Sequence, residues 1–161
     1  MLSIQQKSVY LIIFNATMIA RSLGKTLKEE ELKKYKVELF NQLDNLTGKI
    51  DNETLKESDI LKAIEDLANQ FNISWGQSQK AINVILKYHL LLNSKQKSKS
   101  VLHCPLDSII LKELEIKPLS LAKMDKNKYL EIQTKINERY KDKIDFDIKW
   151  DKIHLEDEGI L

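Results

Sequence analysis

Lys80 and Asp107 of this 161-residue chain are of the types needed for covalent chemistry on a carbon centre, and each stands beside a helix start. Lys80 stands near the start of a helix-forming stretch, and Asp107 follows a turn led by Pro105. A lysine amine becomes a nucleophile when burial or a nearby cation lowers its pKa. A carboxylate stabilises positive charge that builds on carbon as a bond breaks. Lys87 lies two turns beyond Lys80 on the same helical face, with Asn83 between them, and is one such cation. Plainer readings stand beside these. Polar helix faces usually carry solvated lysines, and an aspartate ahead of an aliphatic helix is an ordinary N-cap.

The elements that must position this pair are helical by composition. Leucine, isoleucine, lysine and glutamate dominate, and four glycines and two prolines leave little punctuation for an all-β fold. Hydrophobic content of 42% with 31% charged residues excludes a disordered chain. The length suits one domain with a proper core. The expectation is an all-α protein, a single compact domain over 1–161 of about six helices. A net charge of +2 makes no global case for nucleic acid, so any such case must be local.

Residues 4–22 read as an apolar first helix closed by a left-handed Gly24. The run Val9–Ala20 is broken by Asn15 and Thr17 and falls short of the ~20 residues of a membrane span, so it is read as a retained, buried helix with no membrane role. Thr26 with Glu29 forms a capping-box pattern for a second helix that Gly48 would stop. A third helix is expected over Ser58–Phe71, with Ser58 as its cap. For the fourth, Gly76 reads as a turn glycine, or Ser74 with Gln77 reads as a capping box. Its inward face would be Ala81, Val84, Ile85, Tyr88, Leu91 and Leu92. Residues 93–100 read as a mobile basic loop carrying Lys95, Lys97 and Lys99. Asp107 would cap a helix over Ser108–Leu114, and Asp125 a longer one containing Tyr129 and Gln133. Residues 144–150 alternate in polarity and, with no strand to pair with, read as an extended or helical packing segment. The acidic stretch 151–161 is expected to fray.

Cys104 is the sole cysteine, so neither an internal disulfide nor a site built from cysteines alone can form. A reducing cytoplasm is the natural reading. His89, His103 and His154 lack ligand spacing, and no metal or cofactor is expected. His89 reads as core packing and Cys104 as a small buried side chain.

The string Lys80-Ala81-Ile82-Asn83-Val84-Ile85-Leu86, with Gly76 four residues earlier, resembles the hairpin-following helix of helix-hairpin-helix DNA glycosylases. Ser78 stands where that family has its second hairpin glycine. Pro105-Leu106-Asp107-Ser108-Ile109-Ile110 is similar to the family's aspartate segment, most of all in the archaeal 8-oxoguanine glycosylase branch. Together these cover residues 72–114. Gly76 to Lys80, His103 to Asp107, and Asp125, Tyr129 and Gln133 also resemble motifs of a bacterial protein family of unknown function.

The glycosylase resemblance implies that Lys80 is the amine nucleophile and Asp107 its carboxylate partner in cleaving an N-glycosidic bond. The bond's cleavage charges the sugar, the carboxylate stabilises that charge, and the amine forms a Schiff base. Backbone N–H groups around Gly76, Gln77 and Ser78 would hold a phosphate. Asn83, Lys87 and His103 would line the same face, where Lys95, Lys97 and Lys99 add positive field. Trp75 and Trp150 are candidates by type for the wall against an extruded base. DNA or a nucleotide is the expected partner. Two other readings remain open. The scaffold can bind nucleic acid or a nucleotide without turnover, or it can serve a protein partner, for example in a mobile element or a phage-defence locus.

Overall fold

Seven polar or charged residues between Gln77 and His89 are buried in one helix, α5 (Trp75–Asn93). The computed structural model describes residues 1–93 and 96–161, and the backbone alone at Ala20, Arg21 and Gln96. Lys95 of the expected basic loop lies outside the described residues. Around α5 stand α1 (Ile4–Phe14) with a π-helical continuation (Asn15–Leu23) and the single turn α2 (Gly24–Thr26). Then come α3 (Glu29–Asp51), α4 (Glu57–Phe71), a 3-10 turn (Gln96–Val101), α6 (Ser108–Glu113), a second 3-10 turn (Leu121–Lys123), α7 (Lys126–Arg139) and α8 (Ile144–Asp157). The described residues contain eight α-helices and no strand. None of the helices is long and apolar enough to cross a membrane.

α5 packs against α1, the π segment, α3, α4, α7 and both 3-10 turns, which makes it the axis of the bundle. It is buried on every side from Trp75 to Lys87. The expected one-sided stripe is therefore corrected: Leu91 and Leu92 are exposed, and the residues taken as a polar face point into protein. Helices that are enclosed all round occur when neighbours cover each face.

Local chemistry explains most boundaries. Ser3 and Gln6 close a capping box at α1, with Ser3 N–H donating to Gln6 Oε1 at 2.9 Å and Gln6 N–H to Ser3 Oγ at 3.1 Å. Gly24 is right-handed (φ −63°), not a left-handed cap; its N–H reaches back five residues to Ile19 O, as a π turn requires. A Cβ there would sit 2.5 Å from that carbonyl, so the wide turn needs glycine for space and not for its dihedral freedom. α3 runs through Gly48 to Asp51, because an isolated glycine weakens a helix without ending one. α3 starts at Glu29 behind Lys28, whose N–H donates to Glu31, and α4 starts at Glu57 behind Lys56, whose N–H donates to Asp59. Thr26 and Ser58 are thus not the caps. α4 closes on Asn72 in the left-handed region (φ 50°).

At the start of α5, Ser74 N–H donates to Gln77 Oε1 (3.1 Å) and Gln77 N–H to Ser74 Oγ (3.0 Å), so the capping box forms. Gly76 lies inside the first turn, where its N–H bonds Met124 O at 3.0 Å. A Cβ on it would stand 2.3 Å from Leu121 O and 2.7 Å from Met124 Cβ. Its role is close backbone contact with the second 3-10 turn. Residues 144–150 are helical, and α8 continues to Asp157 through most of the stretch expected to fray.

Phe14 stacks on Tyr35 (5.9 Å) and Tyr35 meets Phe71 edge-on (5.1 Å), tying α1, α3 and α4 together. α1 is buried through Tyr10 and Phe14, but Ile4 and Ile12 face outward, 82% and 68% exposed, so the first helix is not enclosed.

Gly48 and Gly76 make opposite predictions. Gly48→Ala meets nothing within 4 Å and should raise stability by ~0.5–1 kcal/mol in urea denaturation. Gly76→Ala should lower it by ~1–3 kcal/mol, because backbone must move to admit one methyl.

Candidate functional site

The segment Leu102–Leu106 crosses the interior as extended chain with no strand beside it. Buried N–H and C=O groups need partners, and two glutamine side chains supply them. Gln79 donates through Nε2 to Leu106 O (3.0 Å) and accepts from Leu106 N–H at Oε1 (3.2 Å). Gln133 on α7 does the same for Cys104, donating to its O (2.7 Å) and accepting from its N–H (3.1 Å). Each amide stands in for one residue of a missing strand. Between them the clamps fix the chain one residue before Asp107.

Asp107 then caps α6 as expected, its Oδ1 accepting from Ile109 N–H (2.9 Å) and Ile110 N–H (3.1 Å). Its other oxygen faces α5. Lys80 Nζ donates to Asp107 Oδ2 at 3.2 Å, with side-chain exposures of 8% and 26%. The two residues lie 27 positions apart in the chain and meet as a half-enclosed ion pair. Lys80 is not a solvated surface lysine.

Lys87, two turns on, is 4% exposed and held by Asp147 (2.5 Å) and Asp151 (2.8 Å) of α8. Burial pushes its amine down, but these two carboxylates outweigh that and hold it above the ordinary lysine range. Burial raises Asp147, and Asp151 and Asp107 add to the rise against the pull of Lys87. Three carboxylates thus meet two amines here, and the surplus charge is negative. Cys104 lies among them, and burial pushes its thiol well up, which leaves it inert as a nucleophile.

A second network runs from the same helix. Asn83 Nδ2 donates to Tyr129 Oη (3.0 Å) and to Gln79 Oε1 (3.1 Å). With its oxygen accepting from Asn83, Tyr129 donates to His103 Nδ1 (2.5 Å), which places the imidazole proton on Nε2, toward Glu57. Lys143 also bonds Glu57 at 2.5 Å. Burial raises the Glu57 carboxyl, but the bonds from Lys143 and His103 prevail and hold it below the ordinary range. Burial, with Lys143 nearby, depresses His103 to about 4, so the ring is neutral. The Asn83 carbonyl oxygen is buried with no donor among the described residues.

Two clefts of about 330 Å³ each flank the first turn of α6 and share Asp107 and Ile109. One is lined by Lys80, Lys25 and the hydroxyl residues Thr17, Ser22, Thr26, Ser108 and Ser120. The other is lined by Trp150, His154 and the carboxylates of Asp107, Asp147, Asp151 and Asp157. The Lys80–Asp107 pair sits on the divide.

The other expected site residues fall differently. Gln77 and Ser78 are structural: Gln77 Nε2 donates to Ser22 Oγ (3.0 Å) and Thr26 Oγ1 (2.8 Å), and Ser78 donates to Ile64 O (2.8 Å). The N–H groups of Gly76, Gln77 and Ser78 are all taken by protein acceptors, so none of these three is left for a phosphate. Trp75 is buried against Tyr129 with Lys126 over its ring, away from both clefts. Among the described residues, the side chains expected to form a positive face are paired or buried. Lys97 pairs with Glu53, Lys99 with Asp145, Lys87 is internal, and His103 is neutral and buried. No three His, Cys, Asp or Glu side chains among the described residues lie close enough to hold a metal ion.

Sequence reasoning missed Glu57, Gln79, Lys25, Asp147 and Asp151 as site neighbours. The i,i+4 spacing of Asp147 and Asp151 signals two carboxylates on one helix face, and that signal was available. Nothing local marks Glu57 or Lys25.

The fold and the site together define an all-α protein with a buried lysine–aspartate pair opening on two clefts. Compared with known proteins, the chain matches no family model, no curated protein and no solved structure.

The neutral state of His103 sets an acid limit. An unfolded histidine takes up its proton near ~6.5, whereas the folded one does so only at about 4. The unfolded chain therefore binds the extra proton between those values, and stability falls as pH drops through that window. At ~1.4 kcal/mol per pH unit the loss amounts to roughly 3 kcal/mol. His103→Gln should flatten that part of the stability–pH curve, measured by urea denaturation from pH 7 to 4.

Proposed function

We propose that the Lys80–Asp107 pair is the reactive centre of an N-glycosylase-type protein, acting on the bond between a sugar and a nucleic-acid or nucleoside base. The supporting observation is the 3.2 Å approach of the amine to the carboxylate at the junction of two ligand-sized clefts. Asp107, held rigid by two backbone N–H groups, stabilises the charge that develops on the sugar as the base departs. The Lys80 amine, after giving up a proton to the leaving base, bonds the sugar C1′. Opening of the sugar ring, with protonation of its ring oxygen, converts that adduct to a Schiff base, which water hydrolyses. The small size of the two clefts turns this reading toward a small substrate or a short single strand, not a long duplex.

Borohydride reduction in the presence of a nucleoside substrate or abasic DNA should leave a covalent adduct at Lys80, located by peptide mass. Lys80→Gln should abolish it, and Asp107→Asn should slow turnover by ~10²–10³. Full trapping by a folded Lys80→Gln variant would sink the assignment. Ligand binding by the wild-type chain with neither turnover nor a trapped adduct would instead place the pair in a binding module without chemistry.

The outward apolar residues of α1 and α3, including Ile4, Leu11 and Val37, favour a protein partner as the second reading. Under it, neither nucleotide nor nucleic acid binds at all.

A further inference from the structure

From the opposite chemistry of the two clefts, we infer that the ligand is a nucleoside monophosphate, lying across Asp107 with its phosphate toward Lys25 and its base toward Trp150. The inference rests on the glycosidic reading of the Lys80–Asp107 pair and adds the substrate class. Each cleft, at about 330 Å³, stands at the lower end of the ~300–1,000 Å³ usual for ligand sites. A ligand that fills both must bend around the Asp107 carboxylate, which puts its middle, the sugar, beside the ion pair.

The charges assign the direction. Lys25 is exposed and makes no ion pair among the described residues, so its ammonium is available to an anion. The Ser22 hydroxyl already accepts from Gln77, which turns its own hydrogen to another acceptor, while the Thr26 hydroxyl accepts from Gln77 and donates to Ser22 O at 3.4 Å. Lys80 stands behind them. Ammonium groups and hydroxyl donors are a phosphate's partners.

The second cleft repels a phosphate. Asp107, Asp147, Asp151 and Asp157 line it, and Asp147 and Asp151 share the single positive charge of Lys87. Carboxylates accept hydrogen bonds from the N–H groups on a base edge. Trp150, half-buried on the same wall, offers a flat ring against which a base can stack.

The test compares guanosine 5′-monophosphate, guanosine and ribose 5-phosphate by calorimetric binding and by release of free base, with the wild-type chain and two variants. The monophosphate should bind at least about tenfold more tightly than guanosine. Lys25→Gln, an exposed change, should erase that difference and leave guanosine as before. Trp150→Ala should weaken both base-bearing ligands and spare ribose 5-phosphate, with Trp150→Phe restoring most of the loss. Equal handling of guanosine and its monophosphate overturns the inference, as does a Lys25→Gln effect shared by both. Lysine-dependent binding of the monophosphate without base release keeps the inference and removes the glycosidic reading. Borohydride trapping on abasic DNA without any preference for the monophosphate does the reverse.

Discussion

Everything in this structure depends on burying charge along α5. A lysine placed in a protein interior is tolerated only when carboxylates and hydrogen-bond partners replace the water it loses. Lys80 and Lys87 are satisfied by Asp107 and by Asp147 with Asp151, residues that arrive from α6 and α8 far along the chain. The later elements are therefore held to the central helix by ion pairs as well as by apolar contact. A buried pair of this kind is a poor device for stability, since apolar residues of the same volume do as well or better. Its position beside two clefts is the observation from which a reactive role is proposed.

The second constraint is the unpaired extended segment from Leu102 to Leu106. A helical protein has no sheet to receive such a chain, and its backbone groups would be orphaned in the core. Gln79 and Gln133 resolve this by offering a donor and an acceptor each. Because α5 and α7 carry these amides, the helices and the segment are registered to one another. Asp107 inherits its position from that registration. Gly76, Gln79, Asn83, Tyr129, His103 and Glu57, scattered through the sequence, thereby join in one hydrogen-bond network, with the Lys80–Asp107 pair and the Gln133 clamp on either side of it along the same segment.

The surface around the site carries a division of charge. Lysines that look free in the sequence, Lys97 and Lys99, are matched by Glu53, Asp142 and Asp145. Lysine outside such pairs borders the first cleft at Lys25, and carboxylates crowd the second. That asymmetry lies across a few side chains on either side of Asp107, which is the scale of a small molecule and not of a duplex.

The all-α class, the Ser74–Gln77 box, the Asp107 and Asp125 caps and the stripe of α7 were legible because each depends on neighbours within one or two helical turns. Glycine at 24, 48 and 76 was not: none serves as a turn, and two are required by atoms brought close in space, Ile19 O and Leu121 O. The burial of α5 was equally hidden, since a helix with lysine, asparagine and glutamine on one side reads as solvated until its neighbours are placed. Lys80 and Asp107 were recognisable by type and order, but the bond between them is a tertiary fact. It requires that the chain after the first 3-10 turn fold back through the core, and long-range hydrogen bonds, not local propensity, decide that path.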